Sequence, residues 1–191
     1  DSMVDPDTFY HSAHARIYWQ RGIFYRDFPW AAFSVISQRN SDLWWGFHVL
    51  FAPFGAIPNQ LSALRAAAVT ALFFNIAISG LAFYRLRLSP WWAFLVISVS
   101  AGYLTRMQTL RPQVLSSALL ILLFAELRRR SLAGTAIVGT LIGLLHPTIS
   151  YLILPIAIVT GLFSERKSSK LPELVSLLSA TLAATIRPGV V

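Results

Sequence analysis

The run from Leu61 to Tyr84, LSALRAAAVTALFFNIAISGLAFY, carries one charge, Arg65 near its start. An α-helix rises about 1.5 Å per residue, and roughly 20 apolar residues cover the hydrocarbon core of a bilayer. The run therefore predicts a membrane-crossing helix, and it constrains everything around it. Composition points the same way: 55% apolar residues, 13% charged and a mean hydropathy of +0.60 are more hydrocarbon than a 191-residue soluble domain needs for its core. The expected fold is all-α, a polytopic transmembrane helical bundle with a helical first external loop. Residues 1–60 form that loop with short interfacial helices, and residues 61–191 form the membrane region of about five or six segments.

Further apolar runs follow at membrane spacing. Pro90-Trp91-Trp92 opens one that continues to Leu104, with aromatic residues at both ends as in membrane belts. Pro112, suited to the first turn of a helix, begins another that ends at Leu127. Leu132 to Phe163 is longer than one span needs, and His146-Pro147 divides it into two short helices or one kinked helix. Leu174 to Ile186 starts one more. By contrast, Leu43 to Ile57 is apolar and aromatic but too short to cross, which suits a position along the interface. The chain begins without Met and ends inside an apolar run, as a fragment of a longer protein would.

The net charge of +8 from sixteen Lys and Arg would suggest nucleic acid if those charges formed one patch. They sit instead between apolar runs. Alternating the spans places Arg85 and Arg87, Arg128 to Arg130, and Arg166, Lys167 and Lys170 on one side, which the positive-inside rule makes cytoplasmic. The opposite side receives residues 1–60, the turn from Thr105 to Arg111, and His146. Every aspartate and all four histidines fall there. Topology thus accounts for the basic balance, and no nucleic-acid partner is expected. The absence of cysteine removes disulfides and thiolate metal sites.

Chemistry is expected in the stretch from Asp5 to His48. Asp5 and Asp7 form an Asp-x-Asp pair, and the helix that follows places Asp7, His11 and His14 at i, i+4 and i+7 on one face. Such a face can act on an acceptor hydroxyl or hold a divalent cation, magnesium or manganese, through Asp5, Asp7 and His11. The same residues also suit a surface helix capped by Asp7, with imidazoles toward lipid headgroups. Arg106 and Arg111 flank the second external turn, where a guanidinium clamps a phosphate or snorkels to headgroups. His146 is an ionisable residue at a break in an apolar run, a functional candidate or a satisfied kink residue. Glu126 reads as an interfacial ion-pair partner.

Several of these motifs resemble one family. Asp7-Thr-Phe-Tyr-His11, an Ala-rich helix to Gly22, Asp27-Phe-Pro-Trp30, Asp42-Leu-Trp-Trp-Gly-Phe-His48 and a Pro-Phe-Gly turn are similar to the first external loop of GT-C-type membrane glycosyltransferases and their oligosaccharyltransferase-like relatives. The runs LRPQVLSSALLILLFAELRRR and GLLHPT resemble their middle helices. The resemblance implies an inverting enzyme of the bacterial inner membrane, with residues 1–60 on the non-cytoplasmic side. It also implies a polyprenyl-phosphate-linked sugar as donor and Asp7, with Asp5 beside it, as the catalytic acidic motif. Arg106, Arg111, His11, His14 and His146 would then contact substrate or its phosphate. Metal-dependent members carry a second acidic motif in an external loop, whereas Thr105 to Arg111 contains no acid. A transporter or channel subunit with Asp7, His11, His14 and His146 along a polar path is the alternative.

Overall fold

The computed structural model describes residues 6–27, 41–89, 91–92, 95, 109–162 and 171–186, and these residues are helical or connecting turns with no strand among them. In chain order the α-helices are α1 (Pro6–Arg21), α2 (Trp45–Phe51), α3 (Gln60–Arg85), α4 (Pro112–Arg128), α5 (Leu132–Leu145), α6 (Ile153–Leu162) and α7 (Leu171–Thr185). Short 3-10 segments at Ala52–Ala56 and Pro147–Leu152 link α2 to α3 and α5 to α6. The all-α expectation is met. Most of the expected span from Pro90 to Leu104, together with Asp5, Arg106 and the charged loop at Arg166, Lys167 and Lys170, lies outside the described residues.

Helix ends follow local chemistry. Asn59 caps α3 by accepting the Ser62 N–H at 2.9 Å, and Ser131 caps α5 by accepting that of Gly134 at 3.1 Å, each satisfying a donor that the first turn leaves open. Arg87 and Arg130 close α3 and α4 with φ of 60° and 57°. At the divided run, His146 leaves helical geometry at φ −150° and ψ 71°, and Pro147 starts a 3-10 turn. The two-helix alternative is therefore the one adopted, as steric conflict before proline favours.

Within the bundle α3 packs on α4, α4 on α5, and α5 on α7. The tightest approach is between α5 and α7. A Cβ at Gly139 would lie 2.6 Å from the Ser176 carbonyl oxygen, and one at Gly143 would overlap that of Ala180. Small residues at a four-residue spacing let two backbones meet without side chains between them. Size is sorted by face along these helices. On α7, Pro172, Ser176, Ala180 and Ala183 are buried while Leu174, Leu178 and Leu182 are exposed. On α3, Ala63, Ala67, Ala71 and Ala82 face inward, while Val69, Phe73 and Phe74 face outward, Phe73 at 65% exposure. A helix of a water-soluble domain does the reverse, burying its large apolar side chains.

Charge is sorted by end. Tyr84, Arg85, Arg87 and Arg129 line an open cavity of about 580 Å³ at one end of the bundle. Arg130 donates to Glu173 at 2.8 Å there, and Glu126 lies 3.5 Å from Arg85. Glu126 thus pairs across to α3 rather than with its neighbouring arginine triplet. The histidines lie elsewhere, around α1, α2 and the start of the 3-10 turn after α5.

Candidate functional site

The buried face of α1 consists of Thr8, His11, His14, Ala15 and Tyr18. Spacings of three and four put them on one stripe, and the stripe meets α2. That short helix is held against the bundle at Gly46, where a Cβ would fall 2.6 Å from the Leu144 carbonyl oxygen. Arg16 fastens the other side of α1 by donating to the carbonyls of Ile57 and Pro58 at 2.8 and 2.9 Å.

Between α1 and α2 lies a chain of buried polar groups. Asp42, 2% exposed, accepts the Trp44 N–H on Oδ1 at 3.0 Å; its Oδ2 accepts the Tyr18 hydroxyl at 2.8 Å and His48 Nδ1 at 2.5 Å. His48 Nε2 in turn meets His11 Nδ1 at 2.7 Å. His14 donates its Nδ1–H to the Tyr10 carbonyl at 3.1 Å and stacks on His48 with ring centroids 4.7 Å apart. The rings of Trp44 and Phe47 meet His11 edge-on.

Burial sets the protonation of these groups, with local charge as the second influence. Desolvation lowers His11 to about 2, with His48 and His14 adding to it against the pull of Asp42. His14 falls to about 4 for the same first reason, then through His48. Burial alone would raise Asp42, but the neighbouring His48 ring and the hydrogen bonds from His48 and Tyr18 bring it down to about 2. Tyr10 and Tyr18 are held well above the ordinary phenol value by burial and by Asp42. Near neutral pH His11 and His14 are thus neutral, and Asp42 is an anion.

On the outer side of this chain an open groove of about 300 Å³ is lined by Asp7, Tyr10, His11, Trp44, Arg111, Pro112 and Gln113. Asp7 Oδ2 lies 2.9 Å from Arg111 Nη2 across it. Arg111 is also the residue before α4, whose first turn starts at Pro112, so the groove receives the positive end of that helix. The buried Tyr10 hydroxyl and Trp44 Nε1 have no hydrogen-bond partner among the described residues. The groove is thus walled by a guanidinium, a carboxylate and the rings of Tyr10, His11 and Trp44, with the Tyr10 hydroxyl and the Trp44 Nε1 buried behind its surface.

The structure brings Asp7, His11 and Arg111 together at the groove and sets His14 and His146 apart from its lining. His14 belongs to the same face of α1 but is wholly buried behind the groove against His48. His146 accepts or donates a hydrogen bond with Ser116 Oγ at 2.9 Å and does not line the groove. Asp5 and Arg106 lie outside the described residues. No group of three His, Asp or Glu side chains arranged to hold a metal ion occurs among the described residues, and His11 Nδ1 is already committed to His48.

Asp42, His48 and Tyr18 were not among the expected site residues. A signal for them was present: Asp42 lies just before the short helix that carries His48, and an aspartate there can turn its carboxylate both to a backbone N–H and to a nearby side chain. No protein-family model matches the chain, and neither a curated protein nor a solved structure matches it.

Proposed function

We propose that this chain is part of a polytopic membrane glycosyltransferase of inverting type, which moves a sugar from a polyprenyl-phosphate carrier to an acceptor on the non-cytoplasmic side. The observation that carries the reading is the groove in which Asp7 and Arg111 face each other at 2.9 Å beside the rings of Tyr10, His11 and Trp44. Sugars are bound by aromatic faces, and phosphates by guanidinium forks at helix N-termini. In the transfer, the bond from acceptor oxygen to the anomeric carbon forms while that carbon's bond to the phosphate oxygen breaks. Arg111 and the start of α4 meet the charge that develops on the leaving phosphate. Asp7, held at the lip by Arg111, orients the acceptor hydroxyl.

The membrane assignment is supported by the sorting of size by face. Gln60–Arg85 is long and apolar enough to cross a bilayer, with a third of its apolar window buried by the protein. The large side chains that α3 and α7 turn outward form the surface hydrocarbon would cover. The shorter apolar helices Leu132–Leu145 and Leu171–Thr185 fall below the roughly 20 residues of a full span and add apolar surface to the same bundle. A transporter path through all the histidines has less support, because His146 bonds Ser116 apart from the other three.

Full-length protein in liposomes, supplied with polyprenyl-phosphate-linked sugars and candidate acceptors, tests the reading. Transfer that falls at least about 100-fold in Asp7→Asn, with insertion unchanged, is the expected result. Ion flux without transfer, or undiminished transfer in the variant, would sink it.

A further inference from the structure

The groove is wired to a buried carboxylate through two imidazoles, and the order of hydrogens along that wire follows from its fixed end. Ionised Asp42 only accepts hydrogen bonds, and it accepts three. His48 Nδ1 must therefore carry a hydrogen toward Asp42 Oδ2. With one hydrogen on His48, its Nε2 is a bare lone pair, and the 2.7 Å contact to His11 is filled by a hydrogen on His11 Nδ1, whereas a second hydrogen on His48 would reverse that contact. In the first arrangement His11 is left with its lone pair on Nε2. His11 is also the member of this chain that lines the groove.

We infer that Asp42 and His48 are positioning residues that make His11 the proton acceptor for the groove, a reading that rests on the sugar transfer proposed above. As the acceptor oxygen bonds to the anomeric carbon and the phosphate departs with the electron pair of the broken bond, the acceptor's proton passes to His11 Nε2. The hydrogen on His11 Nδ1 moves to His48 Nε2. The positive charge settles on His48, against the Asp42 carboxylate, and His11 stays neutral throughout.

The packing suits that task. His14 stacks flat on His48, and Asp42 and His11 hold its two ring nitrogens, so the His48 ring cannot turn without breaking those contacts. Tyr10 and Phe47 close its edges. Apolar side chains of equal volume would fill this space without desolvating a carboxylate. Here Asp42, His11, His14 and His48 are each at most 5% exposed.

Nitrogen-15 NMR of the full-length protein, labelled at histidine, reads the wiring in the wild type. His11 should be protonated at Nδ1 and bare at Nε2. Asp42→Asn should reverse it: the side-chain oxygen stays with the Trp44 N–H, the amide NH2 turns to His48 Nδ1, and the hydrogens shift so that His11 carries Nε2–H. In the transfer assay this variant should lose about 100-fold in kcat with donor KM changed by less than about twofold. A wild-type His11 protonated at Nε2 in an enzyme that transfers sugar overturns the dyad alone, and needs no variant that folds. A reversed His11 with unchanged kcat overturns it too. A His11 bare at Nε2 in a chain that transfers no sugar leaves the dyad in place and removes the transferase reading.

Discussion

Arg111 Nη2 lies 2.9 Å from Asp7 Oδ2, and this contact ties the first turn of α1 to the residue that precedes α4. One partner comes from the segment expected outside the membrane and the other from the bundle, so the groove exists only where the two meet. The Asp7 side chain is 61% exposed and that of Arg111 23%. An ion pair so open to solvent contributes little to stability; in the proposed transfer its value is in placing two charges beside the reacting groups.

Replacing Arg111 separates charge from geometry. Arg111→Lys keeps the cation and loses the planar fork, and transfer should fall roughly 10-fold; Arg111→Gln should fall roughly 100-fold, with a rise in donor KM. Thermal stability should move little in either variant. Steady-state kinetics beside a melting curve measures both.

Acid should weaken the fold in two stages. His11 and His14 are lowered to about 2 and about 4 from 6.5, so the unfolded chain binds protons that the folded chain refuses as pH drops below 6.5. Stability is full above that pH and declines by about 1.4 kcal/mol per pH unit for each group. Asp42 adds a loss between 3.8 and about 2, because its folded form holds the anion. Melting temperature in detergent from pH 8 to pH 5 should fall, and His14→Phe should shallow the slope.

The contact between α5 and α7 leaves no room for a larger side chain. Gly143→Val should cost about 1–3 kcal/mol through forced separation of the helices, whereas Gly80→Ala, with nothing within 4 Å of the added carbon, should be neutral or stabilising by a few tenths of a kcal/mol up to about 1. Chemical denaturation of the two variants gives the comparison.

The sorting of charge to opposite ends predicts opposite sides. Because these 191 residues contain no cysteine, Phe9→Cys and Arg87→Cys, both at exposed positions, can be labelled singly within them by a membrane-impermeant thiol reagent. In sealed inverted vesicles Arg87→Cys should react and Phe9→Cys should not. Labelling of both from one side would remove the polytopic reading.

Helices were legible where composition dictates them. The α3 run, the proline start of α4 and the break at His146-Pro147 each follow from local rules about length and backbone sterics, and Gln60–Arg85, Pro112–Arg128 and the end of α5 at Leu145 lie where those rules place them. The site was legible in part. Helical spacing identified the α1 face with His11 and His14, but nothing within α1 says what that face meets. Asp42 and His48 reach it only because Gly46 lets α2 sit on the end of α5, a close approach between segments far apart in the chain. Arg111 was chosen for its charge and its proline neighbour; its pairing with Asp7 depends on the same assembly.

That seating of Gly46 on the Leu144 carbonyl bears on how the chain can be divided. Residues 1–60 look like a separable module in the sequence, yet the seat under Gly46 of α2 is the last turn of α5 and the far wall of the groove is Arg111. Cut away from the bundle, the segment would keep its aspartates and histidines and lose the framework that aligns them. Grafting this site onto another scaffold would require carrying over the end of α5 and the beginning of α4 as well, which makes the chemistry a property of the whole assembly and not a portable cassette.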